Sequence, residues 1–361
     1  MPSLESILGA ETFLGVINTV KNGTPSDIVD PGFYTVHEVA ELGNTGTYTK
    51  VEGTRQTARA VRYGSPSKRR EQDNVTEVPV TLIHTFEHIV HKPIVLRRLR
   101  MFDSPQQQAR GTKEIDRQTK TFLQLFINLR RAGVHSALTQ GVIWIDGEGN
   151  LLASASGAQI TIDFEVPAAN KNQLDGIISA SWATAGTDIL GQLNAINVKA
   201  VQTSGYELTT AYYGGSIPGY FAGNTALQKI LKTDSGLAKG LKEHAEFNVG
   251  GLRWVPASKA FFVDNDGTAR QWWDDDAVVF SPDPSDEWFQ MIDGTFQVPT
   301  DLGAVTPDAI MAAGSFQDVE GMFSYARIMD DPATIKHLAG DTFLPVLAVP
   351  AAIYQAVVAG F

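Results

Sequence analysis

The stretch from Ser104 to Gln140 constrains the fold of this chain more than any other. Ser104 can cap a helix, Pro105 suits its first position, and Gln107 stands where a capping-box partner belongs. Ile115, Thr119, Phe122, Phe126, Leu129 and Gly133 then recur at alternating spacings of four and three, drawing one narrow apolar stripe along a helix. Arg117, Lys120, Arg130 and Arg131 fall off that stripe. A helix of this span is about 55 Å long at 1.5 Å per residue, well beyond the usual three turns. Gly111 and Gly133 each cost about 1 kcal/mol against alanine, which leaves room for a kink or an early end at either. Taken alone, the stretch reads equally as a long core helix of an ordinary domain.

The chain has 361 residues, enough for two or three domains, and its 43% hydrophobic and 19% charged residues are those of a globular protein. With no cysteine it has no disulfide, no thiolate metal site and no cysteine nucleophile, which fits a cytosolic origin. The net charge of −11 is unevenly spread: residues 50–131 carry 17 of the 29 basic and 8 of the 40 acidic residues, so that segment is +9 and the remainder −20. Such a chain can associate head to tail with its own copies, or simply carry two differently charged surfaces. Its overall acidity argues against a dedicated nucleic-acid binder. No basic n-region marks a targeting signal at the N-terminus. The uncharged end, Phe343 to Phe361, is interrupted by Pro345, Pro350 and Gln355, and reads as a buried terminal strand rather than a membrane span.

Residues 3–20 read as a short amphipathic helix, followed by an extended strap through Pro25, Pro31 and Gly32. Residues 46–91 read as a long two-stranded excursion. A polar, basic first strand (47–63) turns at Gly64-Ser65-Pro66-Ser67, and a return strand (76–90) places Val78, Val80, Leu82, His84 and Phe86 on one face. A hairpin of this kind is marginal alone and invites another chain. After the long helix, Asp146-Gly147 and Gly149-Asn150 mark a tight hairpin, and residues 160–167 alternate as a strand. A helix is expected over 187–203, burying Ile189, Leu193, Ile196 and Ala200 and closing at Ser204-Gly205. Strands follow near 206–214, 247–255 and 260–273, with a short helix from about Asn224. Helices and strands are mixed without strict alternation, which favours an α+β architecture.

Chemistry is hard to find. His84, His88 and His91 could hold a metal if helical, but on a strand His84 and His88 share a face and His91 does not. Asp264-Asn265-Asp266-Gly267 fails as a calcium loop, because Phe262 and Trp273 stand where ligands belong. Asp274, Asp275 and Asp276, with Asp283 and Asp286, read as a solvated acidic loop. No phosphate-binding loop and no nucleophile elbow occurs. No catalytic residue, metal site or cofactor is expected.

The order of parts resembles the major capsid protein E family of tailed phages, the phage lambda type. The stretches that carry the resemblance are the basic excursion 47–90 and the helix 104–140 leading into VIWIDGEGN, then WATAGTDILGQLNAI (182–196) and AEFNVGGLRWVPASKAFFVDNDGTARQWW (245–273). AVVFSPD (277–283) and the ending DTFLPVLAVPAAIYQAVV (341–358) complete it. The resemblance implies the Hong Kong 97-type capsid fold. Residues 1–45 are then an N-terminal arm, 46–90 the E-loop, and 91–181 a P-domain whose spine helix is 104–140. Residues 182–318 form an A-domain, 319–340 return to the P-domain, and 341–361 supply a closing A-domain strand. It implies a shell of hexamers and pentamers around double-stranded DNA, assembled in the host cytoplasm and ending in the virion. Portal protein, a separate scaffolding protein and a decoration protein are the implied partners beside copies of the chain itself; no membrane is involved. Arg55, Arg59, Arg62, Lys68, Arg69 and Arg70 are the expected intersubunit contacts of the E-loop. Ile115, Phe122, Phe126 and Leu129 are the expected core stripe of the spine, with its off-stripe arginines facing neighbours. A cargo-enclosing compartment of the same fold is the alternative, and a hydrolase with an unrecognised site a more distant one.

Overall fold

Pro105–Gln140 form one uninterrupted helix, α1. The computed structural model describes residues 35–40, 45–52, 74–91, 105–147, 150–231, 235–257, 261–263, 269–271, 273–283, 287–299, 316–330 and 333–361. α1 passes through both glycines without a break. Gly133 is instead a point of close approach, where an added Cβ would lie 3.3 Å from the Phe343 ring and 3.4 Å from Pro345. The helix stops at Gly141, whose φ of +68° and proximity to Val166, 2.5 Å from any added Cβ, leave room for glycine alone.

Before α1 the chain forms β1 (Thr35–Ala40), β2 (Thr45–Glu52), β3 (Asn74–Thr81) and β4 (Ile83–His91). After it come β5 (Val142–Ile145), β6 (Leu151–Leu152), β7 (Ile160–Asp163) and β8 (Lys171–Asn172), then helix α2 (Ile189–Thr203) and β9 (Thr210–Tyr213). Short helices α3 (Ile217–Gly223), α4 (Thr225–Leu231) and α5 (Ser235–Glu243) follow. The remainder is strand: β10 (Phe247–Val249), β11 (Leu252–Pro256), β12 (Phe261–Val263), β13 (Ala269–Gln271), β14 (Ala277–Ser281) and β15 (Phe289–Pro299). The last are β16 (Phe316–Glu320), β17 (Phe323–Asp330), β18 (Ala333–Leu347) and β19 (Tyr354–Val357).

Two six-stranded sheets dominate. In the first, β18 is the long central strand. β4 runs antiparallel along one edge, from Ile83 beside Phe343 to His91 beside Ile335, while β15 and β17 share the other edge end to end. β1 and β16 flank β15. The second sheet has the order β10-β11-β9-β14-β19-β8. β2 and β3 make a separate antiparallel hairpin, with Thr45 opposite Thr81 and Glu52 opposite Asn74.

α1 lies on the first sheet and ends against the second. Over 119–131 it buries a face; from Ala132 to Leu138 every residue is buried, because the first sheet and the β5–β7 sheet close around it. A second core gathers Trp182, Trp254, Phe221, Phe247, Tyr213 and Phe280 between the second sheet and helices α2–α5. α2 starts two residues after Thr187 with Asp188 accepting the Gly191 N–H at 2.9 Å, and buries Ile189, Leu193, Ile196 and Ala200, as its spacing requires.

Three expectations need correction. The return strand 76–90 is not continuous: Leu82 and Ile83 are both buried, so the two-residue alternation slips there. Only β3 pairs with β2, and β4 leaves to pair with β18. The ending 341–358 is two strands in different sheets, because Pro350 and a 3₁₀ turn over Pro350–Ala352 separate β18 from β19. Arg130 does not face outward but is buried. The short helix expected at 3–20 lies outside the described residues.

Candidate intersubunit surface and its supports

The six basic residues expected to contact a neighbour, Arg55, Arg59, Arg62, Lys68, Arg69 and Arg70, lie outside the described residues. What is described is the foot of the hairpin that carries them. Tyr48 on β2 is buried, its ring edge-on to Phe164 with centroids 6.4 Å apart. Two residues on, Lys50 pairs with the carboxylate of Glu165 at 2.5 Å. Burial pushes the Tyr48 hydroxyl above its ordinary range, partly offset by the Lys50 charge. The hydrogen bond from Lys50, helped by its charge, holds the Glu165 carboxyl below the usual carboxylate range.

Along α1, Phe122 and Phe126 are buried, Leu129 is half-buried, and Ile115 belongs to the helix while its side chain lies outside the described ones. The buried face continues at Arg130, four residues after Phe126. Arg130 donates Nε to Asp341 Oδ2 at 2.6 Å and one terminal nitrogen to Asp341 Oδ1 and Asp293 Oδ1, at 2.5 and 2.8 Å. All three side chains are at most 7% exposed, and the guanidinium carbon stands 5.1 Å from the centre of the Phe343 ring. Gly321, at φ +67°, lets the chain pass this cluster, since a Cβ there would lie 2.7 Å from both Arg130 and Asp293. The sequence holds only a partial signal for it: Arg130 stands four residues after Phe126 and eight after Phe122, and single acids interrupt the apolar runs FQMIDGTF and HLAGDTFLPVL.

Farther along, α1 meets the second sheet. Gln355 donates to the Leu138 carbonyl at 2.7 Å and Lys171 to that of Gln140 at 3.2 Å. Asn170 donates to the carbonyls of Ala351 and Ile353, both at 3.2 Å. A cleft of about 200 Å³ opens beside this joint, lined by Gln140, Lys171 and Gln355 among others.

The other singled-out residues stand as follows. His84 bonds Thr342 through Nδ1 at 2.7 Å and stacks on Phe296; burial lowers its pKa, opposed by the Asp341 charge. His88 is on the same strand and exposed, and the side chain of His91 lies outside the described ones. Among the described residues no group of three or more His, Asp or Glu could hold a metal ion. Asp274 accepts from the Asp276 N–H, Asp275 from Gln271, and Asp276 from the Tyr220 hydroxyl, so this acidic run fastens its own loop. The Asp264–Gly267 turn lies outside the described residues, between the paired strands β12 and β13. Among the described residues no helix is long and apolar enough to cross a membrane.

A prophage protein of E. coli CFT073 described as a capsid protein shares this architecture with a TM-score of 0.57 at 15% identity, over 98% of this chain and 99% of that one. A phage-related protein of Bordetella bronchiseptica RB50 gives 0.51 at 13% identity, over 95% and 96%. No curated protein matches by sequence. A long helix spanning two mixed sheets, with the β2–β3 hairpin set against Phe164 and Glu165, is here the Hong Kong 97-type phage capsid fold. The sequence itself narrows the class. Residues 45–358 match the family described as phage major capsid protein E, and the chain belongs to that family: it is a major capsid protein, a subunit of an icosahedral shell.

Proposed function

We propose that copies of this chain form the hexamers and pentamers of a tailed-phage shell that encloses double-stranded DNA. In this reading residues 1–45 are the arm, 46–81 the E-loop, α1 the spine, and the second sheet with α2–α5 the core of the part that meets its copies around capsomer centres. The first sheet, the β5–β7 sheet and α1 form the peripheral part. Arg55, Arg59, Arg62, Lys68, Arg69 and Arg70 pair with acidic residues of a neighbour. One exposed ion pair contributes only about 0–1 kcal/mol, but arms and loops repeated around every capsomer act multivalently. Weak single contacts also let misplaced subunits leave. The acidic remainder of the chain keeps the wall from gripping packed DNA, whose phosphates dominate any such contact. Assembly takes place in the host cytoplasm with a portal and a separate scaffolding protein, with a decoration protein as a further partner, and the role is structural rather than enzymatic.

The family match over residues 45–358 carries this reading. Electron microscopy of the purified chain, alone and co-expressed with a scaffolding protein, tests it. Closed shells with hexamers and pentamers are expected, and DNA-filled particles separate a phage capsid from a cargo compartment. Monomers or small oligomers under every assembly condition would sink it.

A further inference from the structure

The foot of the β2–β3 hairpin holds a pair of contacts with different characters. Successive residues of a strand point to opposite faces, so Tyr48 and Lys50 share one face of β2, about 7 Å apart along the strand. Tyr48 meets Phe164, and Lys50 meets Glu165, the very next residue. An apolar edge contact tolerates sliding and rotation, and acts as a pivot. The second contact, farther out along β2, is directional and fixes the angle about that pivot.

The mount for this second contact is rigid. Phe164 and Val166 are buried on either side of Glu165, and the Phe164 N–H bonds the Gly141 carbonyl at 3.0 Å, tying the segment to the end of α1. Glu165 itself sits at φ +57°, a left-handed conformation uncommon for a residue with a side chain. Its N–H is held by Asp163 Oδ1 at 2.8 Å. Such strain persists only where the surroundings over-determine it. Here it turns the carboxylate outward, 71% exposed, toward a lysine whose side chain is only 18% exposed. An exposed pair contributes little to folding, which leaves this one free to bias orientation instead.

We propose that Glu165 is a positioning residue for assembly: by holding Lys50 it sets the angle at which the hairpin leaves the subunit, and so where the hairpin reaches on a neighbouring copy. This rests on the reading of the hairpin as an intersubunit arm. The partner of the latch is within the subunit, while its effect is read between subunits.

The absence of cysteine makes the test clean. Spin labels at Glu77→Cys on β3 and Val198→Cys on α2, both exposed positions, report the hairpin angle in the unassembled subunit by pulsed electron resonance. A single narrow distance is expected in the parent. Glu165→Gln and Lys50→Gln should each broaden it, and the exchanged pair Lys50→Glu with Glu165→Lys should restore it. Glu165→Gln should also lower the yield of closed shells several-fold without moving the subunit's unfolding temperature, and the exchanged pair should recover the yield. An unchanged distance distribution in Glu165→Gln overturns the latch. A broadened distribution with a normal yield of normal shells overturns its role in assembly. Failure of the parent chain to form any shell instead removes the capsid reading, while the distances still report on the latch.

Discussion

Gln355 donates its side-chain N–H to the carbonyl oxygen of Leu138 across 2.7 Å, joining the last strand of the second sheet to the last turn of α1. A helix leaves its final four carbonyls without intrahelical partners, and here the end is buried, so those oxygens need donors from elsewhere. Gln355 and Lys171 supply two, and the lysine's positive charge also complements the negative end of the helix. Sheet and helix are thereby fastened by polar groups rather than by packing alone.

Removing the first of these donors should be felt. Gln355→Leu keeps the volume but strands a buried carbonyl, a loss of about 1–3 kcal/mol. Lys171→Met should cost less, since its side chain reaches solvent at the cleft. Denaturant unfolding of the unassembled subunit compares the two, and equal effects would show that the Leu138 oxygen is satisfied in another way.

Arg130 makes a larger demand. One guanidinium serves two buried carboxylates, Asp293 and Asp341. Arg130→Met takes the guanidinium away from both, and breaking a buried pair in this way costs about 3–5 kcal/mol. A triple variant with Arg130→Met, Asp293→Leu and Asp341→Leu removes the charges together and should recover much of that loss. Unfolding midpoints for the single and triple variants check both halves of the statement; a triple variant as unstable as the single one contradicts it.

How much of this was legible in the sequence follows from range. The bounds of α1 and α2, the turn near Asp146, and the stripe Ile189, Leu193, Ile196 and Ala200 depend on neighbours within a few residues, and spacing alone reveals them. Arg130 depends on acids 163 and 211 residues away. An arginine beside an apolar stripe looks the same whether it meets water or a buried aspartate. The pairing of β4 with β18 spans some 250 residues, and nothing in the run 76–90 shows that it changes partners at Leu82. Lys50 and Glu165 are likewise a polar lysine and a polar glutamate until the fold brings them together.

His135 gives the protein an acid-sensitive point. It is fully buried in α1, edge-on to Trp273, and burial, with the nearby Arg131 charge, pushes its pKa down to about 3. In the unfolded chain the ordinary value is about 6.5. Between those values the unfolded state binds the extra proton, so stability rises with pH. The contribution is complete above about pH 6.5 and is lost as pH falls toward 3, on the order of a few kcal/mol in all. His84, also shifted downward by burial, adds in the same direction. His135→Leu should therefore flatten the acid limb of a stability–pH profile measured on the unassembled subunit. An unaltered slope between pH 6 and 4 would place the proton uptake elsewhere.

The uneven charge offers the broadest test of assembly. Residues 50–131 are +9 and the rest of the chain −20. Replacing Arg59, Arg62, Arg69 and Arg70 by Glu changes four charges by two each, which takes the segment from +9 to +1. If those arginines pair with acids of a neighbour, four attractive contacts per subunit become repulsive, and the effect multiplies around each capsomer. If they pair within their own subunit or with nothing, the subunit alone changes, and surface substitutions usually move stability by no more than about 0.5 kcal/mol. The two cases separate in one experiment. Shell yield should fall steeply while the unfolding midpoint of the unassembled subunit stays in place. Salt sharpens the reading, because contacts between exposed charges fade beyond a Debye length of about 10 Å at 0.1 M. Assembly of the parent should weaken as salt rises, whereas raised salt should partly rescue the reversed variant by screening its repulsion. Normal shells from the reversed variant at low salt would remove these arginines from the interface.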